Sequence, residues 1–115
     1  MKLINKENKI FIAGHNGMAG SSIKRALIAK GYNNLILPSR KDLDLTDSAE
    51  VKKWFNENKP EVVILAAAKV GGIDANFKFP TEFLLDNLKI QNNIIENSFL
   101  NKSKRVLFLG SSCIY

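Results

Sequence analysis

The stretch Lys9-Ile10-Phe11-Ile12-Ala13-Gly14-His15-Asn16-Gly17-Met18-Ala19-Gly20 changes character at Gly14. Before it lies a short apolar run without alternation, the pattern of a parallel strand buried on both faces. After it come three glycines spaced G-x-x-G-x-x-G. Residues 20–30 then carry Ile23, Ala26, Leu27 and Ala29 at helical spacing, with Gly31 where a helix C-cap is expected. Strand, glycine loop and helix in that order are the context that gives such a motif its meaning. The first glycine permits a sharp turn out of the strand. The second lets backbone approach a pyrophosphate with no Cβ in the way, and the third lets the helix pack close to the sheet. Phosphates would meet free N–H groups and the positive end of a dipole there. The alternative is a glycine-rich turn that holds no ligand.

The pattern continues downstream. Asn34-Leu35-Ile36-Leu37 reads as a second strand, stopped by Pro38. Thr46 or Asp47 can cap a second helix whose apolar face is Val51, Trp54 and Phe55, ending before Pro60. Glu61-Val62-Val63-Ile64-Leu65-Ala66 reads as a third strand, followed by a loop with Gly71-Gly72. From Thr81 to about Leu100 a long amphipathic helix is expected through Phe83, Leu84, Leu88, Ile94, Ile95 and Phe99. Arg105-Val106-Leu107-Phe108-Leu109 reads as a fourth strand with Gly110-Ser111-Ser112 at its carboxyl end. Wholly apolar strands alternating with helices predict an α/β fold, a Rossmann-type doubly wound parallel sheet. Right-handed crossovers suggest the strand order 3-2-1-4. Residues 1–115 read as one nucleotide-binding domain without repeats or linkers. The pattern is truncated after the fourth strand and leaves no substrate domain.

Composition narrows the function classes. The net charge of +6 is spread over scattered Lys and Arg residues, which is a solvated basic surface. No motif for nucleic acid accompanies it. No apolar run approaches the roughly eighteen residues of a membrane span, and residues 1–10 lack a secretory pattern. The one cysteine, Cys113, rules out an intrachain disulfide or a multi-cysteine metal site and fits a reducing cytoplasm. An interior of this kind is normal at 45% hydrophobic residues.

The end of the second strand refines the ligand. Folds that bind NAD usually place an acidic residue there for the ribose 2′-hydroxyl. This chain has Pro38-Ser39-Arg40-Lys41. A cation suits the 2′-phosphate of NADP, and Arg can also stack on adenine. The alternative is that Arg40 and Lys41 simply face solvent. His15 has no second His and no nearby Cys to share a metal, so it reads as a neutral loop residue beside the cofactor.

Three segments carry a resemblance. They are Phe11 to Gly20 above, Leu65-Ala66-Ala67-Ala68-Lys69-Val70-Gly71-Gly72-Ile73, and Phe108-Leu109-Gly110-Ser111-Ser112-Cys113-Ile114-Tyr115. Together they resemble the start of the GDP-L-fucose synthase family of extended short-chain dehydrogenases/reductases. That resemblance implies NADPH-dependent epimerisation and reduction of GDP-4-keto-6-deoxy-D-mannose to GDP-L-fucose. The ketone acidifies the flanking C–H bonds, so proton transfers can precede hydride transfer at one site. By resemblance, Gly14, Gly17 and Gly20 line the pyrophosphate, and Met18 belongs to the same loop. Asn16 stands where relatives often have Arg, which leaves Arg40 more of the 2′-phosphate selectivity. Asp44 and Leu45 would lie by the adenine, and Ala66, Ala67 and Ala68 by the nicotinamide ribose. Ser111 matches the serine that hydrogen-bonds the substrate carbonyl, and Cys113 the cysteine proposed as epimerisation acid/base. Taken alone, Cys113 reads as a small buried residue near a strand end. The resemblance also implies a homodimer and a cytoplasmic enzyme.

The family's Tyr-x-x-x-Lys pair is missing: Tyr32 is followed four residues later by Ile36, and Tyr115 is the last residue. The expectation is therefore a polypeptide that does not turn over substrate by itself. A stand-alone NADP-binding module, or half of a split enzyme completed by a partner chain, shares the fold and the cofactor.

Overall fold

The computed structural model describes residues 4–66 and 80–108, and for 80–84 the helical backbone only. Among the described residues, four strands and three helices follow in strict alternation. They are β1 (Ile10–Ala13), α1 (Met18–Ala29), β2 (Leu35–Ile36), α2 (Ser48–Asn58), β3 (Val62–Leu65), α3 (Pro80–Leu100) and β4 (Arg105–Phe108). All three strand pairings are parallel.

β1 and β3 form the centre. They pair in register from Ile10 opposite Val62 to Ala13 opposite Leu65, and every residue of both strands is buried. Their side chains divide between two cores, as period two requires. Ile10, Ile12, Val62 and Ile64 point to one face, where Ile23 and Leu27 of α1 cover them. Phe11, Ala13, Val63 and Leu65 point to the other, under Val51 and Phe55 of α2 and Ile90 and Ile94 of α3. Phe11, Trp54 and Phe55 make an aromatic trio there, with ring centroids 4.4, 5.7 and 5.4 Å apart.

The strand order is β2-β1-β3-β4, not 3-2-1-4. Handedness gives the reason. A right-handed crossover moves one way when its helix lies on one face and the opposite way when it lies on the other. α1 lies on one face and carries the chain from β1 to β2. α2 lies on the opposite face, so the chain steps back past β1 before laying down β3. α3 shares that face with α2 and continues in the same direction to β4. The sequence of α2 shows that it is amphipathic but not which face of the sheet it covers.

Element ends are set locally. The Asp47 side chain accepts the Glu50 N–H and caps α2, which resolves the choice between Thr46 and Asp47. α1 starts at Met18, two residues before the position expected from its apolar spacing. The largest revision concerns α3. Its buried residues include Ile90, Ile94, Asn97 and Ser98, whereas Leu88, Ile95 and Phe99 are exposed. The helix carries two apolar stripes, and periodicity cannot say which one meets the sheet. Phe83 and Leu84 lie in the part whose side chains are not described.

Candidate functional site

The loops leaving the carboxyl ends of β1, β2 and β3 converge on one cleft of about 790 Å³. From β1 it takes Gly14 to Gly17, from β2 Pro38 to Lys41 and Leu43 to Thr46, from β3 Ala66, and from α3 Ile90. α1 leaves β1 toward one face and α2 and α3 pack on the other. The cleft therefore opens where crossovers diverge, at a topological switch point, where open α/β sheets hold their ligands.

Each glycine of the loop is there for a different reason. Gly14 has φ +88°, a conformation that side chains rarely adopt. Gly20 touches the loop rather than the sheet: a Cβ there would lie 2.0 Å from the Gly14 carbonyl oxygen. Gly17 has an ordinary φ of −75°, and a Cβ on it would meet only the Gly14 oxygen, at 3.5 Å. Neither conformation nor internal packing demands a glycine at that position. Gly17 is also the N-cap of α1 and offers no side chain to its first-turn N–H groups. That first turn contains no acidic residue either. The end of the helix is left to attract an anion.

The loop after β2 forms a tight turn. The Asp42 carboxylate accepts from the Ser39 N–H at 3.2 Å and from its hydroxyl at 3.0 Å, and the Leu43 N–H donates to the Ser39 carbonyl. Arg40 and Lys41 sit at the tip of this turn, exposed, on the wall of the cleft. The sequence spacing Ser-x-x-Asp was the available sign of that clasp. Beyond it, Leu43 is buried in the core and anchors the wall that continues through Asp44, Leu45 and Thr46.

His15 lines the same cleft. Partial burial, with Lys24 adding to the effect, holds its imidazole below the usual histidine range, so the ring is neutral near pH 7. Of the residues expected to bind cofactor, Gly14, Asn16, Gly17, Arg40, Asp44, Leu45 and Ala66 line the cleft. Met18 begins α1 with its side chain 90% exposed, and Gly20 supports the loop from behind. Ala67, Ala68, Ser111 and Cys113 lie outside the described residues. Phe11, Ala13, Pro38, Ser39, Leu43, Thr46 and Ile90 line it too, and the sequence does not mark them as site residues. Their apolar or turn-forming character gave them the look of ordinary core and loop.

Residues 10–115 match the NAD dependent epimerase/dehydratase family. The chain belongs to that family. GDP-L-fucose synthase 1 of Arabidopsis thaliana is 51% identical over 111 residues, which are 96% of this chain and 34% of the relative. Among solved structures, a GDP-D-glycero-L-gluco-heptose synthase of Campylobacter jejuni, determined in the presence of NADPH, superposes with a TM-score of 0.91 at 45% identity. The match covers 97% of this chain and 33% of that one. A GDP-mannoheptose C4 reductase of the same organism, with NADP bound, also gives 0.91 at 45% identity, covering 97% and 35%. This member of the family thus spans about a third of the length of the relatives it matches. Among the described residues no helix is long and apolar enough to cross a membrane.

Proposed function

We propose that this chain is the NADP-binding part of a GDP-sugar epimerase/reductase of the GDP-L-fucose synthase kind. The observation that carries the reading is Gly17, a glycine that the fold itself does not require, at the uncapped start of α1 and on the wall of the cleft. A ligand approaching that backbone closely supplies the missing reason. The pyrophosphate lies against the first turn of α1. The adenosine lies along Leu43 to Thr46, with its 2′-phosphate at Arg40 and Lys41. By the same resemblance Asn16 offers an amide where relatives often have a guanidinium, so the β2 turn carries the charge selectivity. Neutral His15 and Ala66 border the path toward the nicotinamide.

When bound, the cofactor supplies a hydride for reduction of a sugar ketone. Ser111 hydrogen-bonds that carbonyl and Cys113 exchanges protons at the flanking carbons; both roles rest on the resemblance of Gly110-Ser111-Ser112-Cys113 to the family. These 115 residues contain no Tyr-x-x-x-Lys pair, so this polypeptide is expected to bind cofactor without turnover.

The test is a titration with NADPH and with NADH. It follows nicotinamide fluorescence and the emission of Trp54, the chain's one tryptophan, whose ring packs at a tilt against cleft residue Phe11. NADPH should bind more tightly than NADH, and Arg40→Ala should cut that preference about tenfold or more. Equal affinities for the two in the natural chain would contradict the assignment of the β2 turn.

A further inference from the structure

The wall made by Leu43 to Thr46 belongs to no strand or helix, yet it forms a continuous part of the cleft's lining. Most of what holds it is local. The Asp44 N–H donates to the Glu50 carboxylate at 3.0 Å, the Asp44 carboxylate accepts from the Thr46 N–H and hydroxyl, and the Asp47 N–H donates to the Asp44 carbonyl. These bonds tie the wall to itself and to the start of α2. Among the described residues a bond also reaches further. The Asn93 side-chain amide on α3 donates to the Leu45 carbonyl at 2.8 Å, across 48 residues of sequence. Ile90, one turn earlier on the same helix, is itself on the cleft wall. α3 therefore meets the site through Ile90, which lines the cleft, and through Asn93, which bonds its wall.

We infer that Asn93 is a positioning residue for the adenosine half of the dinucleotide, acting through the Leu45 carbonyl; the inference rests on the cofactor reading above. Leu45, whose carbonyl takes that bond, itself lines the cleft. Without the donor the Leu45 carbonyl loses its tie to α3, and the wall is held by its local hydrogen bonds alone. An internal comparison is available on the same helix. The Asn97 amide donates to the Asn93 carbonyl at 2.8 Å and the Asn101 amide to the Asn97 carbonyl at 2.9 Å. Asn97 is buried, stays within α3 and touches no residue of the wall through that bond.

The experiment measures affinity for NADP⁺ and for adenosine 2′,5′-bisphosphate in the 115-residue chain, well below its unfolding temperature. Asn93→Ala should weaken both ligands by about five- to tenfold. Asn97→Ala should lower the melting temperature and leave both affinities as they are. Asn93→Asp holds the donor only while its carboxyl is protonated, so its affinity relative to the natural chain should recover as pH falls. That variant carries the comparison if Asn93→Ala does not fold. Wild-type affinity in folded Asn93→Ala would overturn the inference and leave Asn93 a purely structural residue. An equal loss in Asn97→Ala would do the same. Failure of the natural chain to bind either ligand is a different result: it removes the cofactor reading, and this inference with it.

Discussion

The three glycines after β1 look alike in sequence, but the structure separates them. Gly20→Ala places a Cβ 2.0 Å from the Gly14 carbonyl oxygen and should destabilise the fold by about 2 kcal/mol in a denaturant titration. Gly17→Ala meets nothing closer than 3.5 Å. It should leave stability within about 1 kcal/mol of the natural chain while weakening NADP⁺ binding at least about tenfold. A Gly17→Ala variant that binds NADP⁺ normally would remove the observation on which the site rests. The spacing of these glycines was readable because it sits between a strand and a helix pattern. What each glycine does was not, since that depends on the φ of Gly14 and on how near its carbonyl oxygen lies to Gly17 and Gly20. The same holds for Ser39 and Asp42. Arg40 could be read as a cation at the right place, but the clasp that presents it is a matter of hydrogen bonds.

At the level of elements, the amino ends of β1, β3 and β4 are drawn together by one side chain. The Glu61 carboxylate accepts from the Lys9 N–H at 3.0 Å and from the Asn8 amide at 3.1 Å, and lies 3.7 Å from the Lys104 ammonium. The Lys9 hydrogen bond is the main reason that its carboxyl is held below the ordinary value of 4.5. The folded chain thus keeps this group ionised to lower pH than the unfolded chain does. Its contribution is fully present above 4.5 and drains away as pH falls through the lower folded value. Because the carboxylate is partly exposed, Glu61→Ala should cost only about 1 kcal/mol at neutral pH. Urea titrations at neutral and acid pH should show the gap between variant and natural chain closing on acidification; a gap that widens would contradict the account. The elements themselves were legible, because apolar runs, Asp47 and Pro60 mark their limits in the chain. The buried face of α3 was not. Leu88, Ile95 and Phe99 form as good a stripe as Ile90 and Ile94, and only the sheet chooses between them.

For the whole molecule, the class of fold followed from alternating apolar strands and helices, whereas the order of the strands did not. Order depends on which face each helix covers, and α2 carries no mark of that in its own residues. The arrangement leaves apolar side chains exposed on α3 and β4. Phe99 is 81% exposed, and Leu88, Ile95, Leu107 and Phe108 are each nearly half exposed. Surface of this kind promotes association. Sedimentation of the 115-residue chain should show self-association rising with concentration, and Phe99→Glu should shift it toward monomer; a natural chain that stays monomeric at every concentration would contradict this. Backbone amide NMR during titration with NADP⁺ reads the cleft between the β1 and β2 loops residue by residue. Cofactor bound there should shift residues 14–20, 39–41 and 44–46 most, with Ala66 following. No shifts, or shifts gathered at the opposite end of the sheet around Ile4 to Glu7 and Tyr32, would rule out that site.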